Sequence, residues 1–158
     1  YQVMHSQSGE GGGYTVGSGE IGPYYQNTLK WGQIVNQNYL SKTEWKMQPG
    51  DIGYDDGHTW IVLGQCPDKS AVIVHSTPQA GCQIAGTCTP SGDYDSQAIS
   101  LAQTYMSKYR GFTKYNYHTS CGNYIRRGNY LRWYGSTLSD PDGYKNMTAA
   151  QILADLYS

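Results

Sequence analysis

Between Pro49 and Gly86 the chain alternates turn signals with short apolar runs, and no other feature of the sequence restricts the fold as much. Pro49-Gly50-Asp51 reads as a turn that launches a strand near Ile52, and Asp55-Asp56-Gly57 as a hairpin turn of the kind Asp-Gly favours. His58 to Leu63 (HTWIVL) is a β-branched and aromatic run closed by Gly64. Pro67 to Ser70 then turns the chain, and Ala71 to His75 (AVIVH) forms a second apolar strand. A further strand is expected near Gln83 to Ala85. Runs this short and this rich in Val and Ile specify a β-meander with buried strands.

The flanking regions are less regular. Residues 1 to about 20, centred on SGEGGGYTVGSGE, carry too much Gly and Ser for a regular element and read as a loop, for which flanking a substrate is one reading. A short helical stretch is expected from Tyr25 to Val35, where Leu29, Trp31, Ile34 and Val35 give a weak apolar face. Gln97 to Tyr109 places Ile99, Ala102, Tyr105, Met106 and Tyr109 at helical spacing, with Asp95-Ser96 as a cap. Tyr130 to Tyr134 reads as a strand and Ser139 to Gly143 as a turn. Thr148-Ala-Ala-Gln151 is a capping box that opens a terminal helix reaching Tyr157.

A chain of 158 residues with 38% hydrophobic content fits one domain, residues 1–158, around one core. Its large apolar groups are 16 Tyr and 4 Trp against 1 Phe, so nearly all carry a polar handle suited to gripping polar ligands. The same content also describes an ordinary β-rich extracellular protein. A net charge of −1 excludes the broad cationic field of a dedicated nucleic-acid binder. Lys108, Arg110, Lys114, Arg126, Arg127 and Arg132 form a local basic run without acidic residues, readable as a contact for an anionic polymer or as a solvated face. No stretch approaches the ~20 apolar residues of a membrane span.

Four cysteines in a chain poor in charge are compatible with an oxidising compartment, and a local bridge among Cys66, Cys82 and Cys88 is expected. Their spacing does not read as a zinc site. Asp51, Asp55 and Asp56 lack a full oxygen-ligand loop and read as solvated turn residues rather than a cation site. His5 and His118 read as surface residues. His58 and His75 differ, because antiparallel pairing of their strands brings them together. A thiol or hydroxyl nucleophile needs a base whose imidazole is held in one tautomer by a third polar group, and two histidines on adjacent strands meet that need.

PGDI, then GH leading an apolar strand that ends in Gly, then an apolar strand that ends in His, resembles the NlpC family of papain-like cell-wall peptidases. The match covers about residues 45 to 88, and the tail LSDPDGYKNMTAAQIL is similar to the C-terminal end of clostridial members. The resemblance implies an α+β papain-like fold with a central antiparallel sheet packed against helices. It implies that His58 is the general base and His75 its orienter; on the enzyme reading Tyr54, Trp60 and Trp31 are candidates for lining the cleft, Trp60 being equally readable as core, and neither cofactor nor metal is expected. It further implies a secreted or wall-associated bacterial peptidoglycan hydrolase, monomeric, that cuts stem peptides between D-Glu and the next diamino acid.

One departure leaves alternatives open. The family nucleophile is a Cys in an Asp-Cys-Ser-Gly motif at a helix N-terminus, where the helix dipole lowers the thiol pKa. No such motif precedes His58. The expectation is that an upstream segment carrying it is missing from this chain; a degenerate site and a substitute role for Cys121, in Thr119-Ser120-Cys121-Gly122, are the rivals. A degenerate site corresponds to a non-catalytic wall-binding module. An acyl-transferring relative is a third reading, and it requires an apolar cavity that this Tyr-rich chain does not advertise.

Overall fold

Strand alternation sends successive side chains to opposite faces, and in this chain both faces are used. The computed structural model describes residues 16–35, 46–77, 81–106 and 129–158. Among them lie six strands: β1 (Gly32–Val35), β2 (Ile52–Tyr54), β3 (Thr59–Gln65), β4 (Ala71–Thr77), β5 (Gly81–Gly86) and β6 (Asn129–Trp133). They form one antiparallel sheet in the order β1-β6-β2-β3-β4-β5. The protein is α+β, and the described helices are α1 (Ile21–Pro23), α2 (Gln97–Met106) and α3 (Ala149–Leu156).

The first face carries Trp60, Val62, Ala71, Ile73, Ala85 and Tyr130, which with Met47 and Cys88 make one core cluster. The opposite face carries Val72 and Ile84, which pack with Ala98, Ala102 and Met106 of α2 and with Ala149 and Leu153 of α3. A β-bulge between Val62 and Gly64 interrupts the β3–β4 register, adding one residue to β3 and bending it. Helix α2 lies so close to the sheet that a Cβ at Gly86 would sit 2.3 Å from the Ala98 backbone. Only glycine allows that approach, and the small buried Ala98 and Ala102 complete it.

Both helix starts follow their sequence signals. Ser96 Oγ accepts from Ile99 N at 3.2 Å and donates to Thr87 O at 2.6 Å. The Thr148–Gln151 capping box is formed reciprocally, a device that contributes ~1 kcal/mol to a helix. Helix α3 ends at Leu156, one residue before the expected Tyr157. Helix α2 begins at the expected Gln97, and the expected continuation beyond Met106 lies outside the described residues.

The helix expected from Tyr25 to Val35 is corrected. A helical run through Ser18–Glu20, α1 and Tyr24–Thr28 stops there, Lys30 adopts φ 55°, and the chain enters β1. Pairing with β6, from Gly32 opposite Trp133 to Val35 opposite Tyr130, overrides the weak helical periodicity. The Gln26 side chain also accepts from Ile34 N at 2.6 Å, tying the run to the strand. The loop reading of residues 1 to about 20 is corrected at its end, where Ser18–Glu20 is a 3-10 turn. Its first fifteen residues lie outside the described residues.

Two further expectations change. The local bridge among Cys66, Cys82 and Cys88 does not form: Cys66 and Cys82 carry free thiols, and Cys88 is disulfide-bonded. Cys121 lies outside the described residues. Asp51 is not a solvated turn residue. It is 2% exposed and ion-paired with Arg132, whose Nη2 lies 2.7 Å from Asp51 Oδ2 and whose Nε lies 3.1 Å from Oδ1. The strand that carries Arg132 lies beside β2 in the sheet, so this member of the basic run serves the fold. The run's other members lie outside the described residues.

Candidate functional site

The register aligns one row of residues across all six strands: Val35, Tyr130, Gly53, Trp60, His75 and Gln83. Directly opposed residues of neighbouring strands share a face, so the row is continuous. At its aromatic end Trp60 meets Tyr130 edge-on, with centroids 6.0 Å apart and planes at 84°. Its polar end is buried as well: His75 and Gln83 are both shielded from solvent.

His58 joins this row from the loop that precedes β3. Tyr54 and Thr59 close the hairpin, Asp55 N donates to His58 O at 2.9 Å, and Asp55 Oδ1 accepts from Gly57 N at 2.9 Å. Four residues thus link the strands, and Gly57 is not left-handed. The turn is organised by the Asp55 side chain rather than by the two-residue Asp-Gly geometry expected from sequence. His58 is the last residue of this loop and not the first of the strand. Its ring stacks near Trp60, with centroids 6.1 Å apart and planes at 24°.

The two histidines meet. His58 Nε2 lies 3.0 Å from His75 Nδ1, with the rings nearly perpendicular at 78°. On the far side of His75, its Nε2 lies 3.2 Å from Gln83 Nε2. The result is a linear relay, His58 to His75 to Gln83, running from a half-buried imidazole into the core. Burial, and then the proximity of His58, push the His75 imidazole down to about 4. His75 is therefore neutral at physiological pH and suited to orienting a partner rather than to titrating.

The other candidate residues fall in different places. Tyr54 is 2% exposed and Trp60 1%. Trp60 is part of the core beneath His58, and the Tyr54 hydroxyl lies against Gly22 of α1. Both therefore support the site from below. Trp31 packs on Tyr25, which in turn meets Trp133 edge-on. Gln83 was not singled out from sequence, although a signal existed: it is a polar residue at an inward position of a strand whose other inward residue is Ala85. Two clefts of about 470 and 490 Å³ lie at the opposite end of β3, around Cys66 and Pro67.

None of the three described cysteines can serve His58. Cys66 stands beyond the far end of β3, roughly 25 Å away at ~3.3 Å per residue. Burial, with the charge of Asp68 adding to it, pushes the Cys66 thiol up to about 11 against a hydrogen bond from Ser70. Cys82 is exposed and precedes Gln83 on β5, so alternation turns it to the other face. Cys88 is disulfide-bonded.

Among the described residues, no group of three or more His, Cys, Asp or Glu side chains could hold a metal ion. No described helix is long and apolar enough to cross a membrane. No protein-family model, no curated protein and no solved structure matches the chain.

Proposed function

We propose that this chain carries the histidine half of a cysteine-hydrolase centre of the papain-like NlpC type, acting on peptidoglycan stem peptides. The observation that supports this reading is the 3.0 Å contact between His58 Nε2 and His75 Nδ1 on a buried sheet row. With Nε2 engaged by His75, Nδ1 is the nitrogen that serves a thiol. His58 takes the thiol proton, the thiolate attacks the peptide carbonyl, and His58 returns the proton to the leaving amine. His75 keeps the imidazole in position throughout. Trp60 supplies a rigid stacked surface for His58, and Tyr54 braces the hairpin that presents it. The bond cut is the one between D-Glu and the next diamino acid, in the wall of the bacterium that secretes the protein, and the enzyme acts as a monomer. The nucleophile is a thiol that the described residues do not supply.

A wall-binding module that keeps the histidine pair without a thiol is the second reading. The placement of Cys66 and Cys82 away from His58 favours it. Incubation of purified peptidoglycan with the full-length gene product, followed by chromatography and mass spectrometry of the soluble fraction, separates the two. Release of muropeptides that is lost in His58→Ala supports the hydrolase. Co-sedimentation with sacculi and no release from the full-length protein would sink it in favour of the binding module.

A further inference from the structure

The end of the Gln83 amide that faces His75 is coupled to where the protons of the relay sit. An amide nitrogen donates and cannot accept, so His75 Nε2, 3.2 Å away, must be bare. A neutral imidazole carries one proton, which places that of His75 on Nδ1. From there it is donated to His58 Nε2 at 3.0 Å, so His58 in turn carries its own proton on Nδ1. With the amide turned over, each step reverses. The Gln83 carbonyl oxygen accepts from His75 Nε2–H, His75 Nδ1 accepts from His58 Nε2–H, and His58 Nδ1 becomes a bare, basic nitrogen.

Gln83 is placed to make this choice. It is almost wholly buried, at 1% exposure, and its Oε1 is buried without a hydrogen-bond partner. Each orientation therefore leaves one end of the amide without a hydrogen bond among the described residues. His58 and His75 cannot settle the matter between themselves, since each can donate or accept. The amide is the group in the relay whose two ends are chemically distinct.

We propose that Gln83 is the positioning residue that selects the tautomer of the histidine pair: amide nitrogen inward in the resting state, carbonyl oxygen inward in the state where His58 Nδ1 can accept a proton. The purpose assigned to the switch rests on the hydrolase reading. On that reading, rotation of the amide about its terminal side-chain bond arms the base. The same rotation is required whenever His58 becomes an imidazolium, because its Nε2–H then needs a bare His75 Nδ1. No net proton is gained or lost in exchanging the neutral arrangements.

Long-range proton–nitrogen correlation spectra of the ¹⁵N-histidine-labelled chain at about pH 8, above the ordinary imidazole range, read the tautomers directly. The signals of His5 and His118 are identified through His5→Gln and His118→Gln. In the unsubstituted protein both His58 and His75 are expected to be protonated on Nδ1. Gln83→Glu, which as a carboxylate can only accept, is expected to move both protons to Nε2. Gln83→Met, uncharged and of similar length, is expected to leave a mixture of tautomers at His75, and it keeps the test decisive where burial of a Glu prevents folding. Protonation on Nε2 in the unsubstituted protein, or an unchanged pattern in Gln83→Met, would overturn the proposal. The readout needs no turnover, so a failure to release muropeptides bears on the hydrolase reading alone.

Discussion

Trp60 lies across Gly53: a Cβ on Gly53 would stand 2.0 Å from the indole Nε1. The two residues are direct partners in the β2–β3 ladder, and the space left by the missing side chain is what lets the indole lie flat on the sheet. Because His58 stacks near that indole, Gly53 controls the height of the relay above the sheet. Gly53→Ala is expected to cost ~1–3 kcal/mol, as overpacking of a tight core does. It should also displace His58. Urea denaturation gives the first quantity, and the His58 ring resonances give the second. Wild-type values for both would show that the ring tolerates the methyl group.

The Asp51–Arg132 pair joins the turn before β2 to β6. Asp51 also accepts from Gln48 N at 2.8 Å, while Arg132 is 20% exposed. Burial pushes the Asp51 carboxyl above the usual carboxylate range, against the opposing pull of the Arg132 guanidinium. Removing Arg132 alone therefore strands a buried acid. Arg132→Leu is expected to destabilise the fold by ~2–4 kcal/mol, toward the lower part of the range for buried pairs because one partner is partly solvated. The double variant Asp51→Leu/Arg132→Leu should cost less than the two single changes added together. Additive costs in the double-mutant cycle would contradict the coupling.

Stability should depend on pH through His75. The fold holds this imidazole down at about 4, whereas the unfolded chain has the ordinary value of 6.5. Between the two values the unfolded chain binds the proton and the folded one does not. The His75 contribution is thus fully present above pH 6.5, declines as pH falls toward about 4, and is constant below that. The total is about 3 kcal/mol from the size of the shift. Chemical denaturation across this window should show the slope, and His75→Gln should flatten it. An equal slope in His75→Gln would assign the effect to other groups.

The free thiols should differ sharply in reactivity. Cys82 is exposed, whereas Cys66 is buried with its thiol pushed up to about 11. Since the thiolate is the reactive form, iodoacetamide near neutral pH should label Cys82 in the native protein. Cys66 should be labelled only after denaturation. Peptide mapping by mass spectrometry distinguishes them, and native labelling of Cys66 would show that its cluster opens readily.

The meander, the two longer helices and their caps were legible in the sequence because each rests on local chemistry. Asp-rich turns, β-branched runs and the Thr148–Gln151 capping box act within a few residues of themselves. His58 and His75 were legible as a pair for a related reason, since consecutive strands pair with their neighbours more often than not. What tertiary structure alone decided is long-range. Strand β1 exists because β6 supplies its hydrogen bonds across about a hundred residues of chain, a contribution that no local window registers. Arg132 makes Asp51 a buried acid instead of a turn residue. Register decided the rest: it set Gln83 opposite His75 and Gly53 beneath Trp60. A shift of one residue in either ladder would have turned those side chains to the opposite face of the sheet.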